Sequence, residues 1–223
     1  MNIIITGASR GIGYETAKIL SKEHKVIGIA RSIAGRDLKS RPTFIPISFD
    51  FENGNIGDDL FPQIDTHFKT VDVLINNAAT FIKKPFEQIT RKEFEKVFRV
   101  NVFAVAELTQ AVLPLMKKGH VLNIVSMGGI QGSIKFPGLS AYSSGKGALI
   151  TLTECLAEEF KDKNISFNAI AFGAVQTEML SEAFPNFKAP LIAAEAAKFV
   201  ADFAINGNKY FNGKILQMAL STP

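Results

Sequence analysis

The chain has 223 residues, 47% of them hydrophobic and 21% charged, with a formal net charge of +4. That size supports one buried core, and the composition excludes a disordered, fibrous or coiled-coil protein. The basic excess is scattered along the chain, so nucleic acid is not expected as a partner; the single cysteine, Cys155, excludes an intrachain disulfide and any multi-Cys metal site and fits a reducing compartment.

Asn2 to Thr6 reads as a structural strand and leaves no charged leader, and no uninterrupted apolar run approaches the roughly 18 residues that cross a membrane. A cytoplasmic protein with no membrane partner is the expectation. Short β-branched runs then alternate with stretches of helical periodicity: Ile3 to Ile5 and Glu15 to Leu20, followed by strands at Val26 to Ile29, Phe44 to Ile47, Val71 to Ile75, Val121 to Val125, Ile165 to Ile170 and Ile215 to Met218. The strands are apolar almost throughout, as expected where helices cover both faces of a parallel sheet. This predicts an α/β, Rossmann-type, doubly wound parallel sheet of about seven strands in three layers, forming a single nucleotide-binding domain over residues 1–223.

Within the fifth helical stretch, Leu149, Leu152, Cys155 and Leu156 share an apolar periodicity that predicts a buried thiol. Glu178 to Ala189 has no clear periodicity and contains Pro185 and Asn186, so it reads as a loop with room for a short helical turn, bordering the substrate. Leu191 to Ile205 reads as one long amphipathic helix. His24, His67 and His120 are dispersed and fit no metal spacing, so no metal is expected.

Thr6-Gly7-Ala8-Ser9-Arg10-Gly11-Ile12-Gly13 lies at the junction of the first strand and first helix. Glycines there let the backbone turn tightly and approach a pyrophosphate, with the helix N-terminus facing the phosphates. Where such a turn binds NAD, an acid roughly 20 positions on holds the ribose 2′-OH, whereas this chain offers Arg31 and Ser32 after its second strand. A carboxylate repels a 2′-phosphate and a guanidinium binds it, and Arg10 is placed to reach the same phosphate. NADP(H) is therefore expected over NAD(H).

Tyr142-Ser143-Ser144-Gly145-Lys146 opens the helix after the fifth strand, which ends Val125-Ser126. A spacing of four puts phenol and ammonium on one helix face, and ligands in this fold bind beyond the carboxyl ends of the strands. A free phenol has a pKa of about 10, so a neighbouring cation has to stabilise its phenolate for proton exchange near neutrality; Lys146 and an oxidised nicotinamide are the expected sources. Ser126 is placed to hydrogen-bond a substrate oxygen as charge develops on it. These residues predict an oxidoreductase that moves a hydride between a nicotinamide and a small-molecule carbonyl or secondary alcohol, with Tyr142 as acid and base.

With the glycine loop, Ser126, Tyr142 and Lys146 in chain order, the whole chain resembles the short-chain dehydrogenase/reductase (SDR) family. Asp50 resembles the family's adenine-contacting acid, and Asn76-Asn77-Ala78-Ala79 its Asn-Asn-Ala-Gly segment, with Ala79 replacing Gly. Asn101 matches the helix asparagine that completes a tetrad with Ser126, Tyr142 and Lys146 and holds a relay water. The resemblance implies that Lys146 lowers the Tyr142 pKa and binds the nicotinamide ribose. Phe172-Gly173-Ala174-Val175-Gln176-Thr177 is similar to the Pro-Gly-x-Val-x-Thr segment, which implies cofactor contacts by Gly173, Val175 and Thr177, although Phe172 replaces Pro. A homodimer or homotetramer is implied in the same way, while Asn212 to Met218 lacks the usual Asp-Gly-Gly tail. The shortness of Glu178 to Ala189 predicts an open or shallow pocket.

Phe81, Phe86, Phe172 and Phe184 fall near segments that border the site and fit an aromatic-friendly pocket. A regulator that senses NADP without turnover is the rival on the same fold, but a full Asn, Ser, Tyr and Lys set serves it nothing. A sugar-nucleotide epimerase or dehydratase needs a further substrate-binding region. Ketone, aldehyde, 3-oxoacyl thioester, sugar and pterin substrates all remain open.

Overall fold

The computed structural model describes residues 1–32 and 36–220. Its strands are β1 (Asn2–Thr6), β2 (Lys25–Ala30), β3 (Phe44–Ser48), β4 (Val73–Asn76), β5 (Gly119–Ser126), β6 (Ile165–Phe172), β7 (Val175–Gln176), β8 (Leu191–Ile192) and β9 (Ile215–Met218). Its helices are α1 (Gly11–Leu20), α2 (Arg36–Lys39), α3 (Phe61–His67), α4 (Arg91–Phe98), α5 (Ala104–Val112), α6 (Ser140–Glu159), α7 (Glu178–Ala183) and α8 (Ala193–Asn206).

Seven strands form one sheet in the order β3-β2-β1-β4-β5-β6-β9, every pair parallel. Side chains of a strand alternate between its faces, so β1 feeds two cores. Ile3 and Ile5 pack with Ala17 and Leu20 of α1 and with Ala196 and Val200 of α8. Ile4 packs on the opposite face with Ile64 of α3 and Leu108 and Val112 of α5. Both faces are apolar because both are covered, which gives the predicted three-layer, single-domain Rossmann architecture. The strand order reverses direction beside β1 and β4, and the crevice at their carboxyl ends is where this topology leaves room for a ligand.

Three sequence expectations change in detail. Leu191 and Ile192 are not helical: they pair with Val175 and Gln176, and α8 starts only at Ala193. Cys155 is exposed, because the buried stripe of α6 runs through Gly145, Leu149, Thr153 and Ala157 and Cys155 lies off it. Arg91–Leu115 is a continuous helical stretch long and apolar enough by length and composition to cross a bilayer. Here it comprises α4, a π-helical turn (Arg99–Phe103), α5 and a short 3₁₀ turn, with Ala104, Leu108 and Val112 in the core.

Candidate active site

The carboxyl ends of β1, β2, β4, β5 and β6 open onto a cavity of about 550 Å³, running from Arg31 and Asp50 beneath the glycine loop to Tyr142 and α7. That volume suits a small-molecule or cofactor site. Behind the glycine loop, Thr6 ends β1, and its hydroxyl accepts the backbone N–H groups of Asn77 (3.0 Å) and Ala78 (2.9 Å). The Asn77 side chain returns the tie by donating to the carbonyls of Thr6 (3.0 Å) and Gly7 (3.2 Å). Gly7 turns the chain at φ 69°, and a Cβ there would lie 2.8 Å from Asn77 Nδ2. Asn77 and Ala78 thus line the cavity while bracing the loop, and Gly13, which does not line it, allows α1 to pack against Gly7 and Asn77.

Gly7, Ser9, Arg10, Gly11 and Ile12 all face the cavity. No side chain caps the N-terminus of α1 and its first turn holds no acid, which leaves its N–H groups available to an anion. Arg31 and Asp50 share the far end, whereas Ser32 is exposed and does not line it. Burial pushes the Asp50 carboxyl up, but hydrogen bonds from Asn53 and the Glu52 N–H, with the charges of Arg31 and Lys96, hold it below its ordinary value. The Arg10 guanidinium donates to Glu182 of α7 at 2.9 Å.

Ser126, Tyr142 and Lys146 meet on the opposite wall. Ser126 stands where β5 leaves the sheet, and its Oγ accepts the Gly128 N–H at 3.2 Å. Lys146 is buried and donates from Nζ to the Ile124 carbonyl at 2.7 Å, with Nζ 5.9 Å from the centre of the Tyr142 ring. Burial pulls its ammonium down to about 8. Burial also pushes the Tyr142 phenol up to about 12, with the Ser126 hydroxyl pulling the other way. Burial dominates the phenol here, while the Lys146 ammonium is bonded to the Ile124 carbonyl.

Asn101 is fully buried in the π-helical turn and does not line the cavity. Its side chain accepts the Thr80 N–H and donates to the Thr80 carbonyl, both at 2.8 Å. It also lies against Gly145, between Tyr142 and Lys146 on α6. A π turn re-aims one residue of a helix, and here it fits Asn101 between α6 and the Thr80 backbone.

The roof is α7. Thr177 caps it by accepting the Leu180 N–H at 3.2 Å, and Gly173, Val175 and Thr177 face the cavity as expected. Phe172 ends β6, buried on the same wall. Helix α7 is anchored at its end. Lys83 donates to the Ala183 carbonyl at 2.6 Å and sits 4.1 Å over the Phe184 ring, which meets Phe136 edge-on at 5.7 Å. Of the aromatics expected nearby, Phe81, Phe172 and Phe184 line the cavity, but Phe86 is 69% exposed and lies outside it.

The sequence profile of the short chain dehydrogenases matches residues 1–187. The chain belongs to the short-chain dehydrogenase family. It is 29% identical to the 3-oxoacyl-(acyl-carrier-protein) reductase of Chlamydia trachomatis over 96% of this chain and 94% of that protein. It is 30% identical to carbonyl reductase 2 (NADPH) of Sus scrofa over 80% of this chain and 73% of that protein. Among solved structures, a 4-hydroxyisoleucine dehydrogenase mutant complexed with NADH and succinate superposes with a TM-score of 0.88 at 26% identity, covering 98% of this chain and 97% of that one.

Several residues that shape the site of this short-chain dehydrogenase were not singled out from sequence. Thr6 was part of the glycine-loop stretch, and a hydroxyl at a strand end facing another strand end was its only signal. Lys83, Phe136 and Glu182 carry no local pattern at all, since each matters only through a partner far along the chain. Among the described residues no cluster of metal-ligating side chains occurs.

Proposed function

We propose that this short-chain dehydrogenase is an NADP(H)-dependent reductase of small-molecule carbonyl compounds, with Tyr142 as the proton donor. The observation that carries the reading is the placement of Tyr142 beside Ser126 and Lys146 on the wall of a cavity that begins at the glycine loop. The residues fit a dinucleotide: the uncapped N-terminus of α1 suits a pyrophosphate, and Arg31, standing directly after β2 where an NAD-binding turn carries an acid, suits a ribose 2′-phosphate. Asp37, the next acid along the chain, is engaged by the Tyr14 hydroxyl at 2.5 Å and stands 3.9 Å from Lys18.

The reduced nicotinamide supplies the hydride when bound. The protein's part is to manage the oxygen of the carbonyl. Ser126 donates a hydrogen bond to it, and Tyr142 transfers its proton as negative charge builds there, giving the alcohol. Lys146, buried and cationic at neutral pH, supplies fixed positive charge that favours the phenolate left behind. Asn101 acts from behind the wall as a positioning residue, fixing the Thr80 backbone and packing against the helix that carries Tyr142 and Lys146.

The test is a titration with NADPH and NADH followed by nicotinamide fluorescence, then a panel of ketones and aldehydes monitored at the nicotinamide absorbance. Tighter binding of NADPH with turnover of part of the panel is expected. Binding without turnover across the panel would favour a sensor, and failure of both cofactors to bind would overturn the reading.

A further inference from the structure

We propose that the compartment beside Tyr142 takes an uncharged carbonyl compound whose flank is an apolar chain or ring, and that Lys83 is the positioning residue that holds its aromatic wall. The proposal rests on the reductase reading for the place of the reacting carbonyl, and it adds the chemistry of what surrounds that carbonyl.

The walls near Tyr142 come from Phe81, Phe136, Leu139, Met179, Leu180 and Phe184. The five charged side chains of the cavity other than Lys146 and those of α7 gather at its other end or are already neutralised. Arg31 stands beside Asp50, and Lys96 pairs with Glu52 at 2.8 Å. Arg10 pairs with Glu182. Lys146 is turned to the Ile124 carbonyl. Helix α7 repeats this division. Its acids point to the glycine loop, Glu178 toward Gly11 and Glu182 onto Arg10, whereas Met179, Ala183 and Phe184 form the adjoining face. A carboxylate or phosphate on the substrate flank would therefore lose water without meeting a cation, a loss that an apolar group does not suffer.

Lys83 brings a second cation, besides Lys146, close to this end, and it does not line the cavity. Its ammonium is committed to the Ala183 carbonyl and to the face of Phe184, from the outer side of the wall. Phe184 is held in turn edge-on to Phe136. Lys83 thus fixes the end of α7 and the ring angle of Phe184 together, and its charge supports an aromatic wall in place of recognising an anion.

The test uses three methyl ketones with the same reacting end: benzylacetone, levulinate and methyl levulinate. With the protein loaded with NADPH, kcat/KM for benzylacetone is expected to exceed that for levulinate by about 100-fold, with methyl levulinate between them. In parallel, benzylacetone is expected to raise the melting temperature of the NADPH-loaded protein and levulinate to leave it unchanged. Levulinate equal to or better than benzylacetone in either measurement overturns the proposal, as does the absence of any shift with all three. The expected binding order without turnover sinks the reductase reading and leaves the compartment's chemistry standing. For Lys83, Lys83→Met should raise KM for benzylacetone about 10-fold with kcat nearly unchanged, and Lys83→Arg should restore it, since a guanidinium keeps both the donor and the cation over the ring. A kcat loss with KM unchanged, or no rescue by Arg, removes Lys83 from this role.

Discussion

At the glycine-loop end of the cavity the wall is backbone, and at the α7 end it is side chain. The first is set by neighbours on adjacent strands: Thr6 at the end of β1 binds the Asn77 and Ala78 N–H groups at the end of β4, and Asn77 binds back to Thr6 and Gly7. The second is assembled from distant segments, with Lys83 and Phe136 reaching α7 from separate loops. Backbone fixed by a sheet has few alternatives, so it suits a ligand portion that never changes. A short helix held by three or four side-chain contacts can be altered one residue at a time without disturbing the sheet, which suits the portion that determines specificity.

The largest expected effect falls where the two ends meet. Tyr142→Phe removes one hydroxyl that touches neither the glycine loop nor α7. We expect kcat/KM for carbonyl reduction to fall about a thousand-fold, within the range for loss of a general acid, while NADPH binding changes little. Stopped-flow turnover and a fluorescence titration on the same preparation check both halves of that statement. A parallel loss of cofactor binding would mean that the phenol serves the backbone end rather than the chemistry.

Gly13→Ala attacks the backbone end alone. The new Cβ would overlap the Gly7 carbonyl and Asn77 Nδ2, which are bonded to each other while Asn77 Nδ2 also donates to the Thr6 carbonyl, so neither can give way freely. Overpacking of this kind costs about 1–3 kcal/mol, readable as a lower urea midpoint, and NADPH affinity should fall in step because the loop has to move. Phe184→Ala is the matching change at the other end. It should shift KM among ketones while leaving the urea midpoint and NADPH binding close to those of the parent.

A third region, at the amino ends of the same strands, should leave both halves of the cavity untouched. His120 is buried, with Nδ1 3.0 Å from the Ala204 carbonyl and Nε2 3.0 Å from Asn168 Nδ2. Desolvation pulls its pKa down to about 4, with the Ala204 carbonyl pulling the other way. The unfolded chain takes up this proton as pH falls through about 6.5, and the folded protein does so only near 4, so the unfolded state binds more protons between those values. Stability is therefore full above about pH 6.5 and is lost toward pH 4, by about 3 kcal/mol from this one group. Urea melts from pH 7 to pH 5 should show the decline, and His120→Gln should flatten it at the cost of a lower starting stability.

The difference between the two ends also explains what could be read from the sequence. The glycine loop, Arg31, Asp50, Ser126, Tyr142 and Lys146 sit at strand ends or one helical turn apart, so chain order and spacing bring them to the cavity before any packing is known. Asn101 had the right neighbourhood but not its geometry, because a π turn leaves no periodic trace and hides the side chain behind the wall. The seven-strand sheet follows from apolar runs, whereas Leu191 and Ile192 carry the helical periodicity of the residues after them and become a strand only through a distant partner, Val175 and Gln176. The buried Cys155 was an error of register, with Leu149 correctly placed and the stripe continued through the wrong residues. Lys83 and Phe136 could be placed only by the fold, since tertiary contact alone gives them a role.

The smallest effect bears on an ion pair that joins the two ends, Arg10 to Glu182. Both side chains are about half exposed, so the pair contributes little to stability and Glu182→Gln should leave the melting temperature nearly unchanged. Its consequence lies in competition. Under the proposed reading Arg10 serves a ribose 2′-phosphate, and it cannot hold Glu182 at 2.9 Å and a phosphate on the far side of the loop with the same guanidinium geometry. Removing the carboxylate frees Arg10, so NADPH should bind a few-fold more tightly in Glu182→Gln while NADH, which lacks that phosphate, changes little. Arg10→Ala should do the reverse, weakening NADPH toward NADH. Equal tightening of both cofactors in Glu182→Gln would show that Glu182 acts on the pyrophosphate they share; Arg10 would then belong to the roof, and Arg31 alone would be left to read the 2′-phosphate.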